Sequence, residues 1–205
     1  KPDAGSLPNL LDFPLYEMED FIAASGMEKY RARQIMKWLY SGQATAFAEM
    51  TSLARDFRLR LDDLARIAEP QIDRIQTSQD GTRKLLFRLE DGLFIESVLI
   101  PGRNHWTACI STQAGCAMGC RFCMTGRQGL KRNLRPSEIT GQITMLRRHT
   151  PEGPAVKNIV LMGMGEPLAN YENTVKARRS NSGSLFSNSS LSSILYKTLY
   201  LGTNL

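Results

Sequence analysis

The sequence predicts an α/β fold in which a small helical region precedes the first part of a βα barrel or an open α/β sheet. Apolar residues recur at helical spacing between residues 13 and 68, and two strand patterns joined by a turn follow them. The chain then runs in the order strand, cysteine-rich loop, helix, strand, glycine-rich loop. We therefore expect a helical accessory domain at 1–70, the sheet at 71–179 and a serine-rich tail at 180–205.

The helical region is predicted from two apolar faces. Met18, Phe21 and Ile22 recur at helical spacing, and a second apolar face lies within residues 35–40. Gly26 lies between the two faces and predicts the end of the first helix. We expect the two faces to pack against each other and the intervening charged residues to stay in solvent.

The sequence of the next region predicts an antiparallel hairpin. Residues 82–89 and 93–99 have the pattern of strands, and a Glu-Asp-Gly sequence at 90–92 is a turn signal between them. This hairpin is the first part of the predicted sheet.

Two further strands are predicted to be parallel. A short strand at 106–111 leads into the cysteine-rich loop, and Ser137 is a suitable N-cap for an amphipathic helix at 138–148. The apolar run at 158–162 suits a buried parallel strand and ends in a glycine-rich loop. In such folds the chemistry takes place at the carboxyl ends of the strands, where both loops would lie.

The tail differs in composition from the rest of the chain. From residue 180 to residue 205 it has eight serines, no Asp or Glu, and one cation, Lys197. Neither a helical nor a strand period persists there. We expect foreign or out-of-frame sequence in this stretch, and a linker is the alternative.

Charge and hydropathy limit the classes of protein. The net charge of +6 and the pI near 9.3 allow an anionic partner, although many proteins are mildly basic. Apolar runs such as 159–162 are far too short to cross a bilayer, and no segment resembles a signal peptide. We expect a cytoplasmic, monomeric protein that is not attached to a membrane.

All four cysteines lie between Cys109 and Cys123, and such clustering in a reducing compartment indicates a metal site instead of disulfides. Cys116, Cys120 and Cys123 have a Cys-x3-Cys-x2-Cys spacing. Three thiolates so spaced can hold three corners of a 4Fe–4S cluster and leave one iron open. The alternative is a zinc site completed by Cys109 or His105, but structural zinc sites usually contain paired Cys-x2-Cys units.

The cysteine spacing, after a strand and before a helix, resembles the signature of the radical S-adenosylmethionine (SAM) superfamily. Gly165-Glu166-Pro167, at the end of the next predicted strand, resembles the glycine–glutamate loop of that superfamily. More of the chain is similar to one of its families, the RNA adenine C2-methyltransferases. The similar segments are 30–40, 95–101, 109–116 and 126–134.

This resemblance implies a partial radical SAM (β/α) barrel, without its C-terminal strands, behind a helical RNA-binding domain. It implies a 4Fe–4S cluster whose open iron is chelated by SAM, and the amino group of SAM would contact Gly165 and Glu166. Glu96 would accept the adenine C2 proton, and Cys109 would help to resolve a covalent protein–RNA intermediate. From the residues alone, an exposed Glu96 and a small buried Cys109 remain open alternatives.

The same resemblance implies methylation of ribosomal RNA and tRNA, with an electron donor such as flavodoxin. In the family mechanism, one SAM methylates a cysteine near the C-terminus and a second yields the radical that activates this methyl group. No cysteine follows Cys123 in the sequence. We therefore expect this polypeptide alone to be inactive.

The stretch from residue 121 to residue 135 is basic, with no Asp or Glu between Cys116 and Pro136. Next to a catalytic loop, such cations suit contacts with RNA phosphates. A solvated basic loop is the alternative. The candidate RNA contacts are Arg121, Arg127, Lys131, Arg132 and Arg135.

Other functions share parts of this pattern. Another radical SAM enzyme, including one that methylates adenine at C8, would carry the same two loops. A non-catalytic iron–sulfur or zinc RNA-binding module would close its metal site with a fourth protein ligand and would not cleave SAM.

Overall fold

A computed structural model describes residues 7–41, 44–151, 153 and 155–180. Residues 181–205, nearly the whole predicted tail, lie outside this range. Among the described residues, the N-terminal part contains three α-helices and two short 3-10 helices. A mixed sheet with three further α-helices and one more 3-10 helix follows it. The predicted α/β fold with a leading helical region is therefore confirmed.

The helical region contains α1 (Leu15–Ala24), α2 (Tyr30–Tyr40) and α3 (Arg55–Leu64), with 3-10 helices at Leu10–Asp12 and Phe47–Glu49. The apolar faces of α1 and α2 are buried together with one face of α3, as their periodicity predicts. The residues of these faces that are at most 2% exposed are Met18, Ile22, Ala32, Ile35, Leu39 and Leu61. Gly26, with a φ of 75°, follows α1 and ends it as predicted.

The described strands are β1 (Gln71–Thr77), β2 (Arg83–Arg88), β3 (Phe94–Pro101), β4 (Trp106–Cys109), β5 (Gln113–Gly115), β6 (Leu130–Asn133) and β7 (Val156–Val160). The main sheet contains five of them in the order β1-β2-β3-β4-β7. Neighbours among the first four are antiparallel, and β7 lies parallel to β4. The separate strands β5 and β6 pair with each other.

One face of the sheet is covered by a helix. Ile95, Ser97 and Leu99 of β3 are at most 1% exposed, and the Ser97 hydroxyl donates to Gln142 on helix α5 (Pro136–Arg148). The intervening residues of β3, among them Glu96, point to the opposite, more open face. The sheet therefore has a packed face against α5 and a second face that carries the predicted base.

The start of α5 differs from the prediction. Ser137 is not its N-cap, because the helix begins at Pro136 and Arg135 occupies the cap position. Proline is favoured at the first helical position because it needs no hydrogen-bond partner there. The Ser137 backbone N–H donates instead to a carboxylate oxygen of Asp12 at 2.8 Å, and the Glu138 carboxylate accepts from the Arg135 backbone N–H.

The helical region and the sheet are in direct contact. Leu10, Leu61, Ile95 and Ile139 all belong to one hydrophobic cluster. The domain boundary near residue 70 stays a prediction. Helix α4 (Met124–Arg127), a 3-10 helix at Pro167–Asn170 and α6 (Tyr171–Ser180) complete the described elements. No helix in this part of the chain is long and apolar enough to span a membrane.

Candidate active site

The cysteine loop is held at its base by a small hairpin that sequence reasoning missed. Strands β5 and β6 pair on either side of it, and the Cys116 backbone N–H donates to the Gly129 carbonyl at 3.2 Å. Gly115 has a φ of 79°, and a Cβ at this position would collide with that same carbonyl oxygen. Only glycine fits so close a crossing of the two loop ends.

The three predicted cluster ligands lie on this loop. Cys116 and Cys123 are half-buried and Cys120 is exposed. Among the described residues, no group of three or more His, Cys, Asp or Glu side chains is gathered closely enough to hold a metal ion. The structure therefore places the thiols on one short loop without bringing them together as a metal site.

The chemistry of the loop nevertheless fits an iron–sulfur cluster. It offers three thiols and no carboxylate, and thiolates are the usual ligands of such clusters. Backbone N–H groups at the start of α4, from Gly126 first and then Thr125, lower the pKa of the Cys123 thiol. A lowered pKa favours the thiolate, which is the form that binds iron.

The glycine loop that follows β7 lies beside the segment that follows β4. The Gly163 backbone N–H donates to the Ile110 carbonyl at 3.0 Å, and the Thr112 N–H donates to the Met164 carbonyl at 2.9 Å. A Cβ on Gly163 would come within 2.7 Å of the Ile110 carbonyl carbon. The two predicted loops therefore meet at the carboxyl ends of neighbouring parallel strands.

Gln113 connects the two loops directly and is fully buried. Its side-chain oxygen accepts from the Glu166 backbone N–H at 2.9 Å. Gly165 has a φ of 98°, and a Cβ there would lie 2.5 Å from the Gln113 Cβ. One Glu166 carboxylate oxygen accepts from the Leu168 backbone N–H at 3.1 Å, which caps the following 3-10 helix.

A second set of amides extends this connection. The Gln113 side-chain NH2 donates to the Asn133 side-chain oxygen on β6 at 2.8 Å. Asn170 is 3% exposed, and its side chain donates to the carbonyls of Thr112 (2.7 Å) and Leu134 (2.9 Å). Sequence reasoning missed both Gln113 and Asn170, because the polarity of a residue does not reveal whether it is buried.

Glu96 lies on the open face of β3 and forms an ion pair with Lys84 on β2. The Lys84 Nζ is 3.0 Å from a Glu96 carboxylate oxygen, and both side chains are 44% exposed. The predicted base is therefore accessible and has a cationic neighbour. Lys84 was missed because cross-strand pairing depends on the register of the hairpin.

Cys109 shares this face of the sheet with Glu96. It lies opposite Val98, which is two residues from Glu96 on β3. Burial raises the pKa of the half-buried Cys109 thiol, and a hydrogen bond from the Met162 backbone N–H opposes this increase. The two predicted catalytic side chains therefore lie on the same side of adjacent strands.

The five candidate RNA contacts fall into two groups. Arg121, Arg127 and Lys131 are exposed, and the Arg127 guanidinium donates to the Arg121 carbonyl at 3.2 and 3.3 Å. Arg132 and Arg135 take part in ion pairs within the protein.

Arg132 binds the nearly buried Glu138 carboxylate through two hydrogen bonds of 2.8 Å and also pairs with Asp91 at 2.6 Å. Arg135 pairs with Glu90 at 2.7 Å and Glu138 at 3.4 Å. These pairs give both guanidinium groups a structural role. Contact of these two arginines with RNA stays a prediction.

Comparison with known proteins agrees with this geometry. Residues 8–67 match the model of the ribosomal RNA large subunit methyltransferase N-terminal domain. The crystal structure of a radical SAM methyltransferase from Sphaerobacter thermophilus superposes with a TM-score of 0.81 at 40% sequence identity. The alignment covers 91% of this chain and 55% of that one. The described fold is therefore that of part of a radical SAM methyltransferase.

Curated relatives narrow the family. The dual-specificity RNA methyltransferase RlmN of Syntrophus aciditrophicus is 66% identical over 171 residues, which are 83% of this chain and 49% of the relative. The protein of the same name from Geobacter sulfurreducens is 53% identical over 161 residues, 78% of this chain and 44% of the relative. The chain spans about half the length of these relatives. Over these residues the chain is similar to the N-terminal half of the dual-specificity RNA methyltransferases.

Proposed function

We propose that the chain is the cluster-binding part of a radical SAM enzyme that methylates C2 of adenine in ribosomal RNA and tRNA. One observation carries this proposal: the cysteine loop and the glycine loop meet at the ends of β4 and β7 and are joined by the buried side chain of Gln113. The names of the relatives support RNA as the class of substrate.

In this proposal Cys116, Cys120 and Cys123 hold a 4Fe–4S cluster, while Gly165 and Glu166 bind the amino group of SAM. When reduced, such a cluster supplies the electron that cleaves SAM to a 5′-deoxyadenosyl radical. Glycine permits close approach of the backbone to the cofactor, and a carboxylate accepts hydrogen bonds from an ammonium group. The protein supplies the ligands, their placement and the surrounding charge.

Glu96 accepts the proton from adenine C2, and Cys109 helps to resolve the protein–RNA intermediate. Their common face on β3 and β4 supports this pairing of roles. Lys84 holds the Glu96 carboxylate at 3.0 Å and so orients it. Burial raises the pKa of the Cys109 thiol, which favours its protonated form.

RNA contact is proposed for the exposed cations Arg121, Arg127 and Lys131, which lie on the cysteine loop or directly after it. We also propose a cytoplasmic monomer that receives electrons from a flavodoxin-like donor. The 205 residues alone are proposed to be inactive, because they contain no cysteine after Cys123 to carry the methyl group.

The test begins with anaerobic reconstitution of the chain with iron and sulfide. We expect about four irons per chain, as a 4Fe–4S cluster requires, and an electron paramagnetic resonance (EPR) signal after reduction that changes when SAM is added. Cys116→Ala, Cys120→Ala and Cys123→Ala each abolish this signal. Cys109→Ala is the matched control, because it removes a thiol outside the triad and keeps the cluster.

Two outcomes contradict the proposal. A single zinc ion with four protein ligands, lost in Cys109→Ala, indicates the zinc module instead. An EPR signal that is indifferent to SAM indicates an iron–sulfur module without radical chemistry. Incubation of the loaded chain with SAM, a reductant and RNA, followed by mass spectrometry, tests the proposed inactivity. Any methylated adenosine refutes this inactivity, and a methyl group at C8 also favours the C8 enzyme.

A further inference from the structure

A buried hydroxyl group lies where the strand that carries Glu96 meets the segment leading into the cysteine loop. The pairing of β3 with β4 ends at Val98 and Cys109. Two residues further in the same register, Ser111 would face Glu96. The backbone ladder does not continue to this pair, and the side chain of Ser111 makes the connection instead.

Ser111 is fully buried, and its hydroxyl joins two parts of the candidate site. The hydroxyl donates to the Glu96 carbonyl oxygen at 2.6 Å and accepts from the Met164 backbone N–H at 2.8 Å. One O–H group therefore links the strand of the proposed base to the glycine loop proposed to bind SAM.

Gln142 on α5 explains why the Ser111 side chain takes this role. Its side-chain oxygen accepts from the Ser111 backbone N–H at 2.8 Å, and its NH2 donates to the Ser111 carbonyl at 2.9 Å. The same oxygen accepts from the buried Ser97 hydroxyl at 2.6 Å. Because Gln142 binds both backbone groups of Ser111, only the Ser111 hydroxyl is left to bridge β3 and the glycine loop.

We propose that Ser111 is a positioning residue that fixes the glycine loop relative to the strand carrying Glu96. The inference rests on the proposed function, in which these two elements bind SAM and the adenine. Without the hydroxyl, the Met164 N–H and the Glu96 carbonyl lose a buried hydrogen-bond partner, which is costly unless the loop moves. Displacements of about 1 Å near reacting groups are enough to reduce rates by about a hundredfold.

The experiment compares Ser111→Ala with Ser97→Ala in the 205-residue chain. Each variant removes one buried hydroxyl from the same network, but only Ser111 contacts the glycine loop. In the chain without added iron, we expect hydrogen exchange at the Met164 amide to be about tenfold faster in Ser111→Ala and within about twofold of wild type in Ser97→Ala.

The second measurement follows anaerobic loading with iron and sulfide. SAM affinity, read from the EPR spectrum of the reduced cluster, falls about tenfold in Ser111→Ala and stays within about twofold in Ser97→Ala. Iron content is the same in all three proteins. If Ser111→Ala does not fold, Ser111→Thr and Ser111→Val provide a pair of similar volume, of which only Ser111→Thr keeps the hydroxyl and should retain SAM binding.

The outcomes separate the two proposals. Equal SAM affinity in wild type and Ser111→Ala, or equal affinities in Ser111→Thr and Ser111→Val, overturns the positioning role. Equal losses in Ser111→Ala and Ser97→Ala show a purely structural network and also overturn it. A wild-type chain that forms no cluster or does not respond to SAM overturns the proposed function, and the cofactor-positioning role of Ser111 falls with it.

Discussion

At the scale of single residues, the candidate site depends on positions where the backbone comes very close to a neighbour. Gly165 combines a φ of 98° with contact against Gln113, so a side chain there is strained twice. The motif drew attention to Gly165, but Gln113 became visible only through its burial and its bond to Glu166. Sequence patterns identify unusual residues more readily than the ordinary polar side chains that hold them.

The first prediction concerns Gly165→Ala. We expect it to lower the free energy of unfolding by about 3 kcal/mol, because the added Cβ meets Gln113 and the backbone lies in the left-handed region. Gly92→Ala is the control, since Gly92 has a φ of 82° but none of the described atoms lies within 4 Å of its Cβ position. Its expected cost is about 1 kcal/mol. Urea unfolding measures the loss of stability in both variants. Equal losses would show that contact with Gln113 does not destabilise Gly165→Ala.

The second prediction separates exposed from paired cations. Lys131→Ala and Arg127→Ala should each weaken RNA binding and reduce the slope of log affinity against log salt by about one unit. Their folding stability should stay within about 0.5 kcal/mol of wild type, because both side chains are exposed.

Arg132→Ala is the comparison, and it should mainly lower stability. It leaves the Glu138 carboxylate, 5% exposed, without its two hydrogen bonds from Arg132. Fluorescence titrations at several salt concentrations and urea unfolding give the two readouts. If the salt slope were unchanged in both Lys131→Ala and Arg127→Ala, these residues would not contact RNA phosphates, and the loop would be a solvated basic segment.

At the scale of elements, long periodic segments were predictable and short irregular ones were not. The periodicity of α1 and α2 and the turn at Gly92 identified the helices and the β2–β3 hairpin, because each pattern repeats within a single element. The β5–β6 hairpin has strands of three and four residues around a long loop. Strands of three or four residues are too short to show a detectable alternation of apolar and polar residues.

The start of α5 shows the same limit. Ser137 has the right chemistry for an N-cap, but Asp12, far away in sequence, accepts from its backbone N–H. A carboxylate suits this place because the N-terminal end of a helix carries partial positive charge and unpaired N–H groups. A local sequence pattern contains no information about a partner 125 residues away.

The third prediction tests this long-range cap. Asp12→Ala should lower the free energy of unfolding by about 1 kcal/mol, as the loss of an N-cap does. Asp20→Ala is the control, because Asp20 makes an exposed ion pair with Lys29 at 3.4 Å that contributes at most about 0.5 kcal/mol. Thermal or urea unfolding gives the comparison, and equal stabilities of the two variants would show that Asp12 does not stabilise α5.

At the scale of the whole molecule, the sequence predicted the order of the parts and the meeting of the two loops. The rule that active sites lie at the carboxyl ends of parallel strands was sufficient for that. The connection between the helical region and the sheet was not predictable, because it depends on side chains that are distant in sequence. Glu90 is one example, because it forms ion pairs with Arg66, which follows α3 in the sequence, and with Arg135, which precedes α5.

The fourth prediction concerns acid sensitivity at this junction. Hydrogen bonding to Arg66, with a smaller contribution from Arg135, lowers the pKa of Glu90 below its usual 4.5 despite partial burial. A carboxylate with a lowered pKa stabilises the fold fully above its unfolded-state pKa, and this contribution is lost as the pH falls through the folded-state value. Glu90→Gln should therefore be less stable than wild type near neutral pH.

The difference between Glu90→Gln and wild type should shrink as the pH falls below about 4.5. Urea unfolding of both proteins across this range measures the difference. Glu49→Gln is a comparison from within the helical region. Glu49 also has a lowered pKa, but the group that lowers it is the nearby Thr45 and not a residue that joins the helical region to the sheet. If the free energies of unfolding of Glu90→Gln and wild type differed by the same amount at all pH values, the ionised carboxylate would not be what connects the helical region to the sheet.

The hairpin at the base of the cysteine loop has a consequence for the proposed cluster. Its two strands and the Cys116–Gly129 hydrogen bond close the loop by protein contacts alone. In the proposed function, binding of the cluster would therefore reorganise only a short tethered segment and leave the sheet in place. A cluster damaged by oxygen would then be removed and rebuilt on the same folded chain.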